Sequence, residues 1–302
     1  METTYQLQHK IKTAREFEAQ GKYLHAVQIY NKIIQDHPEL VEAYFDLADL
    51  YESLGSIEPG IKLLQNFVDK NPDEKDVRLF LGQYLLRNTK WNEAIEVLSY
   101  LLPEEEPVVS FFLGYSHFML SEYEIAKLNF LNFISKECHS ELLNEANLYL
   151  AKIEIELKNF ESALTYSKKT EGLYANFWEL NLIYSKCYYN LAMYAHAINP
   201  IEKAIKLNPK ELNLYQLAGK IYLKHGDYLK AEKYFLKFIE SIGDVSSDDY
   251  AKLAEACLRG MKPKEAVNYF DIAIKLDPQN KYAVKGKKDA ANLLNKMMVS
   301  DG

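Results

Sequence analysis

Two small residues twelve positions apart, returning about every 34 residues, narrow the folds open to this chain more than any other feature. The stretch 212–240 shows the unit most plainly. Leu214, Leu217, Ala218, Ile221 and Tyr222 form an apolar stripe at helical spacing. His225, Gly226 and Asp227 interrupt it, and Tyr228, Ala231, Phe235, Phe238 and Ile239 stripe a second helix. Gly219 stands in the first helix and Ala231 in the second. A large side chain at either place would hold the axes apart, whereas glycine and alanine allow close approach. Tyr228, three before Ala231, is placed to pack across the turn.

The pattern runs through the chain in phase. The second small position returns as Ala26, Gly60, Ala94, Ala126, Ala163, Ala197, Ala231 and Ala266. Twelve residues before each stands Ala14, Ala48, Gly82, Gly114, Ala151, Ser185, Gly219 or Ala254, and three before each stands Tyr23, Ile57, Trp91, Tyr123, Phe160, Tyr194, Tyr228 or Pro263. Pro38, Pro72, Pro209 and Pro278 close four of the units, because proline cannot continue a helix. A period near 34 with this pattern resembles the tetratricopeptide repeat. The resemblance implies an all-α fold: a right-handed α-solenoid of eight helix-turn-helix repeats. The repeats span about 5–38, 41–72, 75–106, 107–138, 144–175, 178–209, 212–243 and 247–278. A C-terminal capping helix follows at 281–298, and the whole of 1–302 forms one solenoid.

Composition agrees with that expectation. About 300 residues would ordinarily suggest two domains, but a solenoid stacks nearest neighbours and grows as one piece. The net charge of −7 gives no general attraction to nucleic acid or anionic lipid. The start, Met1 to Lys12, shows no apolar core of signal-peptide length, and no run reaches membrane-spanning length; the densest, 108–120, is interrupted by Ser110, Ser116 and His117. Cys138, Cys187 and Cys257 lie in different units without a pairing pattern, as expected of reduced thiols in a cytoplasmic protein.

Some units depart from the pattern. Lys10 and Thr13 put polar groups in the first helix where inner units are apolar, which suits an end cap. Glu104, Glu105 and Glu106, between Pro103 and Pro107, read as a solvated connection. The fifth unit is the weakest, with Ser167 and Thr170 where others carry large or apolar residues. Pro200 either kinks the second helix of the sixth unit, the favoured reading, or follows Asn199 as the first residue of a helix capped there. In the last helix Tyr282, Ala290, Leu293, Leu294 and Met297 share one side, and Lys281, Lys285 and Lys288 the other.

No catalytic pattern emerges, and the chain reads as a non-enzyme without a cofactor or metal. Residues 55–60 imitate the start of a phosphate loop, but Ile61 stands where lysine is needed. Cys138 and His139 are adjacent with no further ligand at metal-binding spacing. His117 sits among Phe112, Tyr115 and Phe118 as a core or groove histidine.

The resemblance implies that the first helix of each unit lines a concave groove and that partners bind there as extended peptides or helices. On that basis the groove comprises Leu79, Leu86, Phe111, Tyr115, Phe118, Met119, Leu148, Lys152, Ile155, Leu182, Lys186, Tyr189 and Lys220. Its middle is apolar and its C-terminal half basic, with Lys152, Lys186 and Lys220 in register. The carboxylate clamp by which some relatives hold acidic chaperone tails is not matched, because the corresponding places carry Ile11, Arg15, Asp46, Asp76 and Phe80. The expected function is a scaffold or adaptor binding a protein partner, apolar in part and acidic towards one end. A self-assembling structural protein, or a regulatory subunit of an enzyme complex, stands as the alternative.

Overall fold

The computed structural model describes residues 4–137 and 141–300. Cys138 and His139 therefore lie outside the described residues. Every regular element described is a helix, and the chain divides into two compact units, Met1–Tyr149 and Leu150–Gly302.

The first unit is a run of hairpins packed in chain order. These are α1 (Thr4–Ala19) with α2 (Tyr23–Asp36), α3 (Val41–Ser53) with α4 (Ile57–Lys70), α5 (Lys75–Arg87) with α6 (Trp91–Leu98), and α7 (Val108–Met119) with α8 (Tyr123–Lys136). The division falls within α9 (Leu142–Glu156). The second unit continues with α10 (Phe160–Lys169), the short α11 (Glu171–Tyr174), α12 (Trp178–Asn190), α13 (Tyr194–Leu207) and α14 (Leu212–His225). Then come α15 (Tyr228–Ser241), α16 (Ser247–Arg259), α17 (Pro263–Leu276) and α18 (Lys281–Ser300).

The residues three before the second small position prove to be the first residues of the second helices, from Tyr23 of α2 to Pro263 of α17. Two positions earlier in every hairpin, one residue adopts positive φ. It is glycine at Gly21, Gly55 and Gly226, but Thr89, Ser121, Lys158, Ala192 and Met261 in the others, with φ between 58° and 62°. The left-handed residue reverses the chain so that the next amide reaches back five residues, as Lys90 N does to Leu85 O at 2.9 Å and Met193 N to Tyr188 O at 2.8 Å. The turn thus satisfies carbonyls that the end of the first helix leaves without partners.

The small positions have a partner that the sequence reading did not identify. Sixteen residues after each first small position stands Tyr30, Leu64, Leu98, Phe130, Ser167, Ile201, Phe235 or Phe270, all fully or almost fully buried. A β-carbon at Gly219 would stand 2.7 Å from Phe235 Cδ1, and one at Gly114 would stand 3.1 Å from Phe130. Glycine is there because a ring from the second helix lies on the first helix's backbone. The fifth hairpin breaks this rule with Ser167, whose hydroxyl donates to Ala163 O at 2.7 Å, while Thr170 donates to Ser167 O at 2.8 Å. Both buried hydroxyls are satisfied locally, at the loss of the large apolar side chain that the other hairpins place there.

Pro200 lies inside a continuous α13, so the helix does not begin at Asn199. The glutamates before Pro107 are tethered: Lys136 donates to Glu104 at 3.1 Å and Lys75 to Glu105. α18 packs on α16 and α17, with Ala283 and Ala290 buried and Gly286 against the Phe270 ring. Its expected apolar member Tyr282 is half exposed, and its hydroxyl donates to Glu255. Cys187 and Cys257 are free and buried, and burial pushes both thiols up to about 12.

Candidate interaction surface

In the first unit α5, α7 and α9 enclose an open cavity of about 620 Å³. Leu86 and Phe111 form its floor, at 7% and 5% exposure, and Tyr115, Phe112, Trp91 and Met119 form its walls. Tyr149 completes it from α9. Its ring lies 5.3 Å from Tyr115, 5.1 Å from Phe118 and 5.4 Å from Phe130, stacked on the last at 3°. Trp91 meets Tyr115 edge-on at 5.6 Å. Such offset and edge-to-face contacts hold aromatic walls in fixed positions.

Polar groups mark the rim. Arg87 donates to Asp49 at 2.7 Å, approaches Glu52 at 2.9 Å, and covers the rings of Phe80 and Tyr84 at 5.6 and 5.5 Å. Gln83, Thr89 and Glu145 also reach the cavity. Nearby, Arg15 donates to Glu42 at 2.7 Å and Asp46 at 2.8 Å, so the acidic side chains of α3 are largely matched. Tyr30 donates to Glu18 at 2.6 Å, and burial raises the Glu18 carboxyl above the ordinary glutamate range.

The expected groove residues thus separate by depth. Leu86, Phe111 and Leu148 are interior, and Phe111 packs on Phe130 and Phe133 at 5.6 and 5.4 Å, so only their edges can face a partner. Leu79, Tyr115, Phe118, Ile155, Leu182 and Tyr189 are half-buried, and Met119 is 42% exposed. Phe118 rests against Tyr123 and Tyr149 beside the cavity. Lys152, Lys186 and Lys220 are half-buried on α9, α12 and α14. Lys220 donates to Gln216 Oε1 at 2.8 Å, and Tyr189 and Lys220 line a second, smaller cavity in the second unit. Trp91, Phe112 and Tyr149 were not foreseen. Phe112 and Tyr149 share one register, two residues before the first small position, and that periodicity was the available signal.

His117 is half-buried with Nδ1 2.5 Å from Glu122 Oε2, a local contact across the turn. Among the described residues no three His, Cys, Asp or Glu side chains are grouped to hold a metal ion, and no helix is long and apolar enough to cross a membrane.

Residues 42–74 and 212–244 each match a family described as Tetratricopeptide repeat. The curated mouse protein Superkiller complex protein 3 is 24% identical over 162 residues, covering 52% of this chain and 10% of its own length. Similar folds occur in the APC/C hetero-tetramer Cut9-Hcn1 (TM-score 0.55, 18% identity, 88% of this chain and 52% of that one). Others are a repeat protein of Parabacteroides merdae (0.54, 15%, 87% and 98%) and pilF of Pseudomonas aeruginosa (0.56, 15%, 71% and 96%). The chain spans a tenth of the curated relative and about half of the Cut9-Hcn1 chain.

Proposed function

We propose, because this chain belongs to the tetratricopeptide-repeat family, that it is a non-catalytic scaffold holding a segment of a partner protein against its first helices. The observation that carries this reading is the aromatic cavity on α5, α7 and α9, open to solvent and walled by Trp91, Phe112, Tyr115, Met119 and Tyr149. Buried aromatic contacts dominate interface energetics, and rigid rings lose little freedom when they are covered. Two of the similar proteins are named for multi-subunit assemblies, which supports a role inside a complex. The expected partner is apolar in part, where it meets the cavity of the first unit, and acidic in part, where it meets Lys152, Lys186 and Lys220 of the second unit. Those lysines are only partly desolvated, so their main effect falls on association rate and its salt dependence.

The test selects peptides by display against the full chain and measures their affinity for variants. Phe118→Ala, and Met119→Glu on the exposed cavity wall, should each weaken the selected peptides by roughly 1–3 kcal/mol. Lys186→Glu with Lys220→Glu should slow association most at low salt. Peptides that bind both cavity variants as they bind the parent would place the site elsewhere and refute the reading.

A further inference from the structure

The second cavity, of about 280 Å³, lies wholly in the second unit between α12, α14, α16 and α18. It is smaller than the roughly 300–1,000 Å³ of sites that enclose a drug-sized molecule, and suits a single side chain. Three lysines converge on it: Lys220 and Lys224, one helical turn apart on α14, and Lys252 on α16. Two carboxylates, Asp248 and Glu255, also line it, but both are engaged elsewhere. Glu255 accepts from Arg259 Nε at 2.7 Å and from the Tyr282 hydroxyl, and Asp248 accepts from Asn280 Nδ2 at 3.0 Å. Asp249, behind the wall, accepts from Gln216 at 2.6 Å and from Ser246 at 2.6 Å.

The lysines have no such partners. Lys220 donates to the neutral Gln216 amide, and no hydrogen bond or ion pair joins Lys224 or Lys252 to a carboxylate among the described residues. Burial, then the charge of Lys252, pull the Lys220 ammonium below the ordinary lysine range, and the charges of Asp249 and Asp248 offset this only in part. The site therefore holds like charges together at a cost that an incoming anion would relieve. Arg259 matches Glu255, and Asp248 and Asp249 match two of the lysines, which leaves one ammonium charge over. A carboxylate would neutralise that charge with two oxygens, whereas a phosphate monoester, at about −1.5 to −2 near neutral pH, brings three acceptor oxygens that the three converging ammonium groups can share. Leu223 and the rings of Tyr189 and Tyr282 line the remaining wall and would flank the short apolar stem of a phosphorylated residue.

We propose that this cavity receives the phosphate of a phosphorylated serine or threonine side chain in the bound partner segment. The inference rests on the reading that a partner lies along the first helices, and it adds that binding there is switched on by phosphorylation of the partner. Lys220, Lys224 and Lys252 bind the phosphate oxygens as point charges, the role lysine fills at phosphate sites.

The experiment uses the full chain and three degenerate peptide libraries that differ at one fixed residue: phosphoserine, serine or glutamate. The phosphoserine library should bind at least about tenfold more tightly than either other library, the advantage falling as salt screens it. Lys220→Gln with Lys252→Gln should abolish the advantage, and the arginine pair at the same positions should retain part of it. Lys224→Glu, at an exposed position that leaves the fold unloaded, should reduce it independently. Equal binding of the phosphoserine and glutamate libraries would overturn the phosphate inference while leaving the groove reading intact. Binding of inorganic phosphate with no preference among peptides would overturn the partner-borne source. An advantage unchanged in all the lysine variants would overturn the site itself.

Discussion

Replacing Gly219 with alanine sets two opposing effects against each other, and the structure decides the sign. Alanine in a helix interior is favoured over glycine by about 1 kcal/mol. At Gly219, however, the new β-carbon would stand 2.7 Å from Phe235 Cδ1 and Cε1 and 2.9 Å from Cγ. Phe235 is fully buried in a cluster with Tyr222, Ala231 and Ala254, so the ring has no solvent to swing into. Overpacking of this kind costs about 1–3 kcal/mol. Subtracting the propensity gain leaves a net loss of about 1 kcal/mol for Gly219→Ala, and more for Gly219→Leu. Gly172→Ala is the control, since no heavy atom lies within 4 Å of its built β-carbon. That change should be neutral or stabilising. In a Phe235→Leu background the contact is relieved, so Gly219→Ala should turn neutral or favourable, with a coupling of about 1 kcal/mol or more. Urea denaturation followed by far-UV circular dichroism reads the shift. Midpoints are the quantity to compare, because long repeat arrays need not unfold in one step. A higher midpoint for Gly219→Ala, matching that of Gly172→Ala, would refute the account of why glycine is there.

Thr89 is a β-branched residue at φ 60°; Thr89→Gly should remove about 1–3 kcal/mol of backbone strain against about 0.5–1 of added chain entropy. The melting temperature should then rise by ~2–4 °C, and a fall would show the turn to be unstrained. Burial, opposed by the Tyr30 hydrogen bond, raises the Glu18 carboxyl, so the folded state binds a proton more tightly than the unfolded chain. That stability is complete below the ordinary glutamate pKa and is lost as pH rises through the folded value. Glu18→Gln should flatten the fall and be the more stable form at neutral pH, and superimposable pH–stability curves would contradict this. Cys187 and Cys257, buried with thiols pushed up to about 12, should alkylate only as fast as the second unit opens. Labelling of either at the rate of a free thiol would show the burial to be wrong.

The hairpin pattern was legible in the sequence because close helix packing demands small residues at fixed places. From Ala14 to Ala266 those places return with the period of one hairpin. The residues three before the second small position, six of them aromatic, recur with the same period and turn out to open the second helices. The turn was less legible. Gly21, Gly55 and Gly226 signal positive φ, but Thr89, Ser121, Lys158, Ala192 and Met261 hide it, since the surrounding hydrogen bonds impose what their side chains disfavour.

The candidate site divides in the same way. Periodicity placed Tyr115, Lys186 and Lys220 on first helices, but it could not say how deep each side chain lies. Leu86, Phe111 and Leu148 have the spacing of groove residues and are nevertheless interior. Tyr149 became central to the aromatic cavity, and Lys252 and Tyr282 joined Lys220 at the second, by bringing together residues 31 to 62 positions apart. By itself the sequence determined which residues repeat and hence which helices pair, because those contacts are local and recur every hairpin. Only the tertiary structure decided which side chains meet at a cavity and which charges are left unmatched. Those depend on how successive hairpins pack and on whose hydrogen bonds are already made.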